Sequence, residues 1–381
     1  MYETEIPKCY ICKYPIISAH NHYTAMCIEC GEFNFNKREL NVNLNGMVAL
    51  VTGCRIKIGF EITKKLLRSG AYVFGTTRFS GNAYKKFEAE TDFDEWKDRL
   101  CIFQLDLLSP SMVIDFIREF SVKTSRLDII INNAAQTIRR PFMYYRNLLE
   151  EPVYSVQSLL TQDISTQLEQ KVAQFDNKSY MATNSKKIIY GYPNLYQGDD
   201  DINNFPDGLV DVDGEPLDLR SKNSWTRKMG DIDPIEVLEV QLVNLISPFI
   251  LINGFLPIMK QSTSDRRYIV NVSSMEGVFS KKNKNVYHPH TNIAKAGLHM
   301  LTRTIAKDLW QNNIFVTAVD TGWITNENPV PLRGKRRSTS IQPPLDSVDG
   351  AARVLDPIFM GEMSKKPQYG ILLKNYKRCS W

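Results

Sequence analysis

The sequence predicts an α/β fold, a doubly wound parallel sheet with a small cysteine module in front of it, and three observations carry that prediction. From Asn41 onward, short apolar runs alternate with segments of helical periodicity, the order that builds a parallel sheet with helices on both faces. The first run, Val48-Ala-Leu-Val-Thr-Gly, passes through a glycine turn straight into a helical pattern. Four of the seven cysteines fall in the first 30 residues, as Cys9-x-x-Cys12 and Cys27-x-x-Cys30.

Residues 1 to about 40 are too few to fold on a hydrophobic core alone, so this module is expected to be folded by a metal. Two CxxC knuckles 14 residues apart match a zinc-ribbon-like site in which Cys9, Cys12, Cys27 and Cys30 hold one tetrahedral zinc. His20 and His22 lie between the knuckles, but four thiolates already complete the shell. A disulfide pair or a redox CxxC is the alternative, disfavoured because no N-terminal apolar stretch reads as a secretory signal.

Val48 to Val51 suits a buried parallel strand, and Ile58, Ile62 and Leu66 then recur at helical spacing until Ser69-Gly70 stops the helix. Further strands are expected at 71–77, 100–105 and 127–132, with a helix capped by Ser109-Pro110 between the last two. Later strands are expected at 268–272, 314–319 and 370–373. The rhythm breaks at about residues 139–232. The second half of that insertion is acidic and turn-rich, with Gly198-Asp-Asp-Asp201 and Asp211-Val-Asp-Gly-Glu-Pro216, while residues 146–174 are expected to carry a helix. A structureless loop of that length is uncommon in a compact domain, which makes it either a functional lid or a partly disordered insertion. A second irregular segment, 326–344, carries the basic cluster Arg333-Gly-Lys-Arg-Arg337, read as a solvated loop.

The chain has 381 residues, 43% of them hydrophobic, enough for a large core with accessories. Its net charge of +5 is too mild to call for nucleic acid, and Lys8, Lys13, Lys37 and Arg38 give the module only a thin basic face. No apolar run approaches the roughly 20 residues of a membrane span, and a soluble cytoplasmic protein is expected.

The backbone N–H groups at the start of the first helix would face a ligand, and Gly53 and Gly59 would let a pyrophosphate come close. Taken in order, Thr52-Gly53 with Gly59, Asp106, Asn132-Asn133-Ala134-Ala135, Asn244-Leu245, Ser273-Ser274, Ala294-Lys295-Ala296-Gly297 and Thr321-Gly322 resemble the short-chain dehydrogenase/reductase family over most of residues 45–381. The resemblance implies a Rossmann-type sheet, a nicotinamide cofactor, a small-molecule carbonyl or alcohol substrate and a homo-oligomer. It places Asp106 at the adenine, Asn133 and Ala134 along the cofactor crevice, and Ile58 in the turn. Lys295 would hold the ribose, and Thr325 would lie near the nicotinamide.

Where an NAD-binding site would carry an acidic residue, the second strand ends in Thr76-Thr77-Arg78. Arg78, helped by Arg55 or Lys57, could pair with a 2′-phosphate, which favours NADP over NAD. Two departures stand out. Lys57 occupies the place of the family's middle glycine, and Thr291 occupies that of the tyrosine four residues before the lysine. Ser274, Lys295 and Asn244 match the roles of carbonyl orientation, ribose binding and relay support. Threonine cannot replace a phenol as acid near neutral pH, which turns attention to Tyr287, His288 and His290. Tyr287 lies 13 residues after Ser274, the usual serine-to-tyrosine gap, and an imidazole at His290 titrates in the useful range. The expected function is an NAD(P)-dependent oxidoreductase. The alternative is an inactive nucleotide-binding scaffold that meets a protein partner through the zinc module or the insertion.

Overall fold

The computed structural model describes residues 6–150, 193–211, 213–333 and 342–381. The expected helix at 146–174 begins inside the described residues, as the end of Phe142–Glu150, and otherwise lies outside them, as does the basic cluster beyond Arg333.

An eight-stranded sheet forms the centre, with strands β1 (Val48–Thr52), β2 (Tyr72–Thr77), β3 (Leu100–Gln104), β4 (Ile129–Asn132), β5 (Arg267–Ser273), β6 (Ile314–Asp320), β7 (Ile371–Lys374) and β8 (Lys377–Cys379). Their order is β3-β2-β1-β4-β5-β6-β7-β8, and all pair in parallel except β8, which runs antiparallel to β7. Every residue of β1, β4, β5 and β6 is buried, which is why these strands read as continuous apolar runs and not as alternating ones. The eighth strand escapes a pattern reading because it is three residues long. It returns through a two-residue turn in which Asn375 and Tyr376 both take positive φ, 48° and 66°, as a tight hairpin demands.

The described helices are α1 (Ile28–Glu39), α2 (Lys57–Arg68), α3 (Ser80–Glu88), α4 (Phe93–Trp96), α5 (Pro110–Lys123), α6 (Phe142–Glu150), α7 (Pro234–Gln241), α8 (Ser247–Gln261), α9 (Pro289–Trp310) and α10 (Ser347–Ser364). Helices α2 and α10 cover one face, where Ile62, Leu66 and Leu67 join Val354, Leu355 and Ile358 against the sheet. Helices α5 and α8 cover the other, with Phe116 and Phe120 edge-on to Phe255. Each such side chain contributes about 1.5–3 kcal/mol by leaving water.

Contrary to the expectation of no span-length apolar run, the continuous helix Pro234–Gln261 is long and apolar enough by composition to cross a membrane. Its Leu251, Ile252, Phe255 and Met259 are buried in the core, so packing on the sheet accounts for part of that apolarity, while Leu238 and Phe249 stay exposed.

The cysteine module is docked onto the sheet domain. Cys9, Tyr23 and Met26 share a small core with Leu345 and Ile324. Arg38 bonds Asp346 at 2.6 Å, Lys37 bonds Asp356 at 2.5 Å, Arg353 donates to Asn34 at 2.6 Å, and the Tyr23 hydroxyl donates to Asp349.

Candidate active site

The strand order reverses between β1 and β4, and the carboxyl ends of the strands there open into the crevice where such sheets bind ligands. The turn after β1 is built for close approach. Gly53 takes φ +72°, and a Cβ on Gly59 would lie 2.0 Å from the Gly53 carbonyl oxygen. The Thr52 hydroxyl accepts from the backbone N–H groups of Asn133 and Ala134, both at 3.0 Å, and the Asn133 amide donates back to the Thr52 carbonyl at 3.0 Å. These bonds tie the turn to the end of β4. No side chain caps α2 at Ile56, so its first N–H groups are left for an anion.

Lys57 keeps the backbone of the glycine it stands in for, with φ 53°. Its ammonium group is drawn aside to Asp213, 3.6 Å away. A left-handed non-glycine residue costs roughly 1 kcal/mol or more. Lys57→Gly is therefore expected to stabilise the fold by about 0.5 kcal/mol, the relief being partly offset by a looser unfolded chain. Urea unfolding checks this, and a lower midpoint would mean that the Lys57–Asp213 pair outweighs the strain.

One cleft of about 690 Å³ runs from this turn to Ser274, Thr291 and Lys295. Gly53, Arg55, Lys57, Ile58, Gly59, Arg78, Asp106, Asn133, Ala134, Ser274, Lys295 and Thr325 all line it. Asp106, just past the end of β3, accepts from the Leu108 N–H at 2.9 Å.

At the far end Lys295 is buried, and its ammonium group donates to the Val272 carbonyl at 2.9 Å. Burial alone pushes its pKa down to about 8. Thr291, one turn earlier on α9, lines the cleft with a buried hydroxyl that has no hydrogen-bond partner among the described residues. Ser274 lines the cleft and accepts from the Glu276 N–H at 3.2 Å. Asn244 lies just behind the cleft wall, within a π-helical segment, Leu242–Ile246, a feature that frequently marks functional sites. Its amide accepts from the Gln136 N–H at 2.7 Å and donates to the Gln136 carbonyl at 3.1 Å, fixing the chain after β4.

The three residues considered in place of a tyrosine are not brought to this cleft. Tyr287 is 39% exposed and its ring faces the Lys228 ammonium group. His288 stacks on Trp225 with ring centres 3.9 Å apart. His290 points at Glu236, 3.3 Å away in a buried pair. The reason is helical phase. Pro289 starts α9, and while Thr291 and Lys295 share a face four residues apart, His290 lies about 100° round from Thr291 and turns toward α7.

Sequence reasoning missed several walls. Arg140, Tyr144, Tyr145, Glu215 and Trp225 line the cleft and come from the insertion, where no periodicity marks which side chains turn inward. Arg55, expected to help with a 2′-phosphate, is instead held by Glu215, and the Arg78 guanidinium donates to the Tyr145 hydroxyl at 2.8 Å. Trp323 lines the cleft, and its backbone N–H donates to the Tyr10 hydroxyl at 2.9 Å, so the cysteine module touches the cleft wall.

In that module the sulfurs of Cys9, Cys12, Cys27 and Cys30 lie within 4.8 Å of one another, with Cys12 and Cys27 3.9 Å apart. A tetrahedral zinc with bonds of about 2.3 Å sets its sulfurs about 3.8 Å apart, so the cluster fits that ion. His20 stays outside it, accepting from the His22 and Tyr23 N–H groups.

The family described as short chain dehydrogenase matches residues 47–156 and 218–335. An uncharacterised protein of Acanthamoeba polyphaga mimivirus is 30% identical over 99% of this chain and 76% of its own length. Among solved structures, an NADPH-bound carbonyl reductase from chicken fatty liver is 18% identical, with 90% of this chain and 100% of that chain covered and a TM-score of 0.52. The carbonyl reductase Sniffer of D. melanogaster is 15% identical, with 88% and 100% covered and a TM-score of 0.54.

Proposed function

The chain belongs to the short chain dehydrogenase family, and from that premise we propose that it is an NADP(H)-dependent oxidoreductase interconverting a carbonyl and an alcohol by hydride transfer. The observation that carries the reading is one cleft joining an uncapped, glycine-built helix start to Ser274, Thr291 and Lys295. The turn suits a pyrophosphate, and Arg78, just past the end of β2, suits a 2′-phosphate. The chicken carbonyl reductase of similar fold carries NADPH. When bound, the nicotinamide supplies or accepts the hydride.

The chain's own part is orientation and the proton. The Ser274 hydroxyl orients the substrate oxygen. Lys295, pushed down to about 8, is the acid, since it lines the cleft and is protonated at neutral pH yet gives up its proton readily. The Thr291 hydroxyl, which bonds none of the described residues, Lys295 included, is left to donate to the substrate oxygen, and would take the lysine proton on only if bound substrate draws the two groups together. Asn244 holds the floor of the site through Gln136. Four thiolates hold zinc with no open position, which makes the metal structural.

Fluorescence titration tests the cofactor. NADPH is expected to bind below about 100 μM, a modest affinity for a cofactor that must compete with internal carboxylates. If neither NADPH nor NADH binds at millimolar concentration, the reading fails. Binding without turnover on any carbonyl substrate would instead favour the cofactor-binding scaffold that Thr291 suggests.

A further inference from the structure

The insertion places an acidic hairpin over the glycine turn. Val210 bridges Pro216, the Leu217 N–H donates to the Leu209 carbonyl at 3.1 Å, and Gly214 turns the chain at φ 75°. The Asp211 carboxylate is spent inside the hairpin, accepting from the N–H groups of Asp213 and Glu215. The other two carboxylates point at cations of the cofactor cleft. Glu215 takes the Arg55 guanidinium with both oxygens, at 2.7 and 2.5 Å, and both residues are more than nine-tenths buried. Lys86 stands 3.8 Å from Glu215 and donates to the Asp213 carbonyl at 3.0 Å. Lys57 pairs with the Asp213 carboxylate.

Arg55 lies in the turn after β1, Lys57 opens α2 and Lys86 lies on α3, and the first two line the cleft with Thr77 and Arg78 at the end of β2, where a cofactor's adenosine ribose docks. Arg55 lines the cleft beside Arg78 and Thr77, lies over the Phe79 ring at 5.3 Å and donates to Asn82 at 3.1 Å. Its planar fork suits a carboxylate and a phosphate equally well. A ribose with a free 2′-hydroxyl can be met by Glu215 as it stands, because a carboxylate accepts from that hydroxyl. A 2′-phosphate would meet Glu215 as a like charge and needs Arg55 released.

Resting on the nicotinamide-cofactor reading above, we propose that Glu215, supported by Asp213, is an internal competitor for the cofactor's 2′-phosphate, so that the hairpin sets the preference between NADP(H) and NAD(H).

The test measures calorimetric affinities of the full chain and of Glu215→Gln and Asp213→Asn for 2′,5′-ADP, 5′-AMP, NADPH and NADH. E215Q is expected to tighten 2′,5′-ADP and NADPH about tenfold or more, the scale of one charge-assisted pair. The same variant should move 5′-AMP and NADH less than about threefold. D213N, whose carboxylate is more exposed, is expected to act in the same direction and less strongly, and it carries the test if E215Q fails to fold by circular dichroism. The proposal is overturned if both ligand classes shift alike or if 2′,5′-ADP weakens, which would make the hairpin a wall and not a competitor. Cofactors that bind with an unmoved NADPH-to-NADH ratio sink this proposal alone. If none of the four ligands binds any of the three proteins, the cofactor reading falls with it.

Discussion

Lys295→Met is expected to lower kcat by about 10²- to 10⁴-fold, the range spanned by loss of a positioned general acid, while the fold survives because methionine fills much the same buried volume. The pH dependence carries the sign. Burial holds the ammonium group near 8, so carbonyl reduction, which needs the protonated form, should be flat below pH 8 and fall about tenfold per unit above it. Alcohol oxidation needs the neutral amine and should rise through the same pH. Thr291→Val should reduce turnover without moving that midpoint, since its hydroxyl would bond the substrate oxygen and does not itself titrate. Tyr287→Phe and His290→Gln should each change kcat less than about threefold, because both rings stand outside the cleft. A Tyr287→Phe variant with no turnover would overturn the assignment to Lys295 and require the loop before α9 to close over the substrate.

The contrast between Lys295 and Tyr287 shows which parts of the site can be read from sequence. Lys295 and Thr291 are fixed by one helix, and four residues along a helix place two side chains on one face whatever surrounds them. The glycine turn is legible for a similar reason, since strand, turn and helix are local and the clash at Gly59 is with the chain six residues earlier. The position of Tyr287 depends on how a loop ends at Pro289 and on the isolated β-bridge that it makes with Lys228, neither of which leaves a periodic trace. Glu215 is the extreme case. Its acidic turn is visible in the sequence, yet its partner Arg55 lies 160 residues away, and nothing in composition links them. The docking of the cysteine module is equally hidden, because it rests on single pairs such as Arg38 with Asp346 and Tyr10 with Trp323.

That docking governs the outcome of removing zinc. Chelation, or Cys30→Ser, is expected to unfold residues 6–39, because the module's own core is four cysteines and a few apolar side chains shared with Leu345 and Ile324. Structural zinc contributes about 10–16 kcal/mol in isolated zinc-finger peptides, more than the whole stability of many domains, about 5–15 kcal/mol. The loss should not stop at the module. Tyr10 supplies the acceptor for the Trp323 N–H and lies against Gly322, where φ is +83°, so an unfolded module frees the segment 321–325 that walls the cleft. Arg38 and Tyr23 leave the start of α10 at the same time. The apo protein should therefore show an early unfolding step and weaker binding of NADPH, and restoring zinc should recover both. Tyr10→Phe separates the two effects: it keeps the metal and the module but removes one hydrogen bond worth about 1 kcal/mol, so it should weaken cofactor binding slightly with zinc content unchanged. Cofactor affinity that is the same with and without zinc would mean that the module stands on the cleft wall without supporting it.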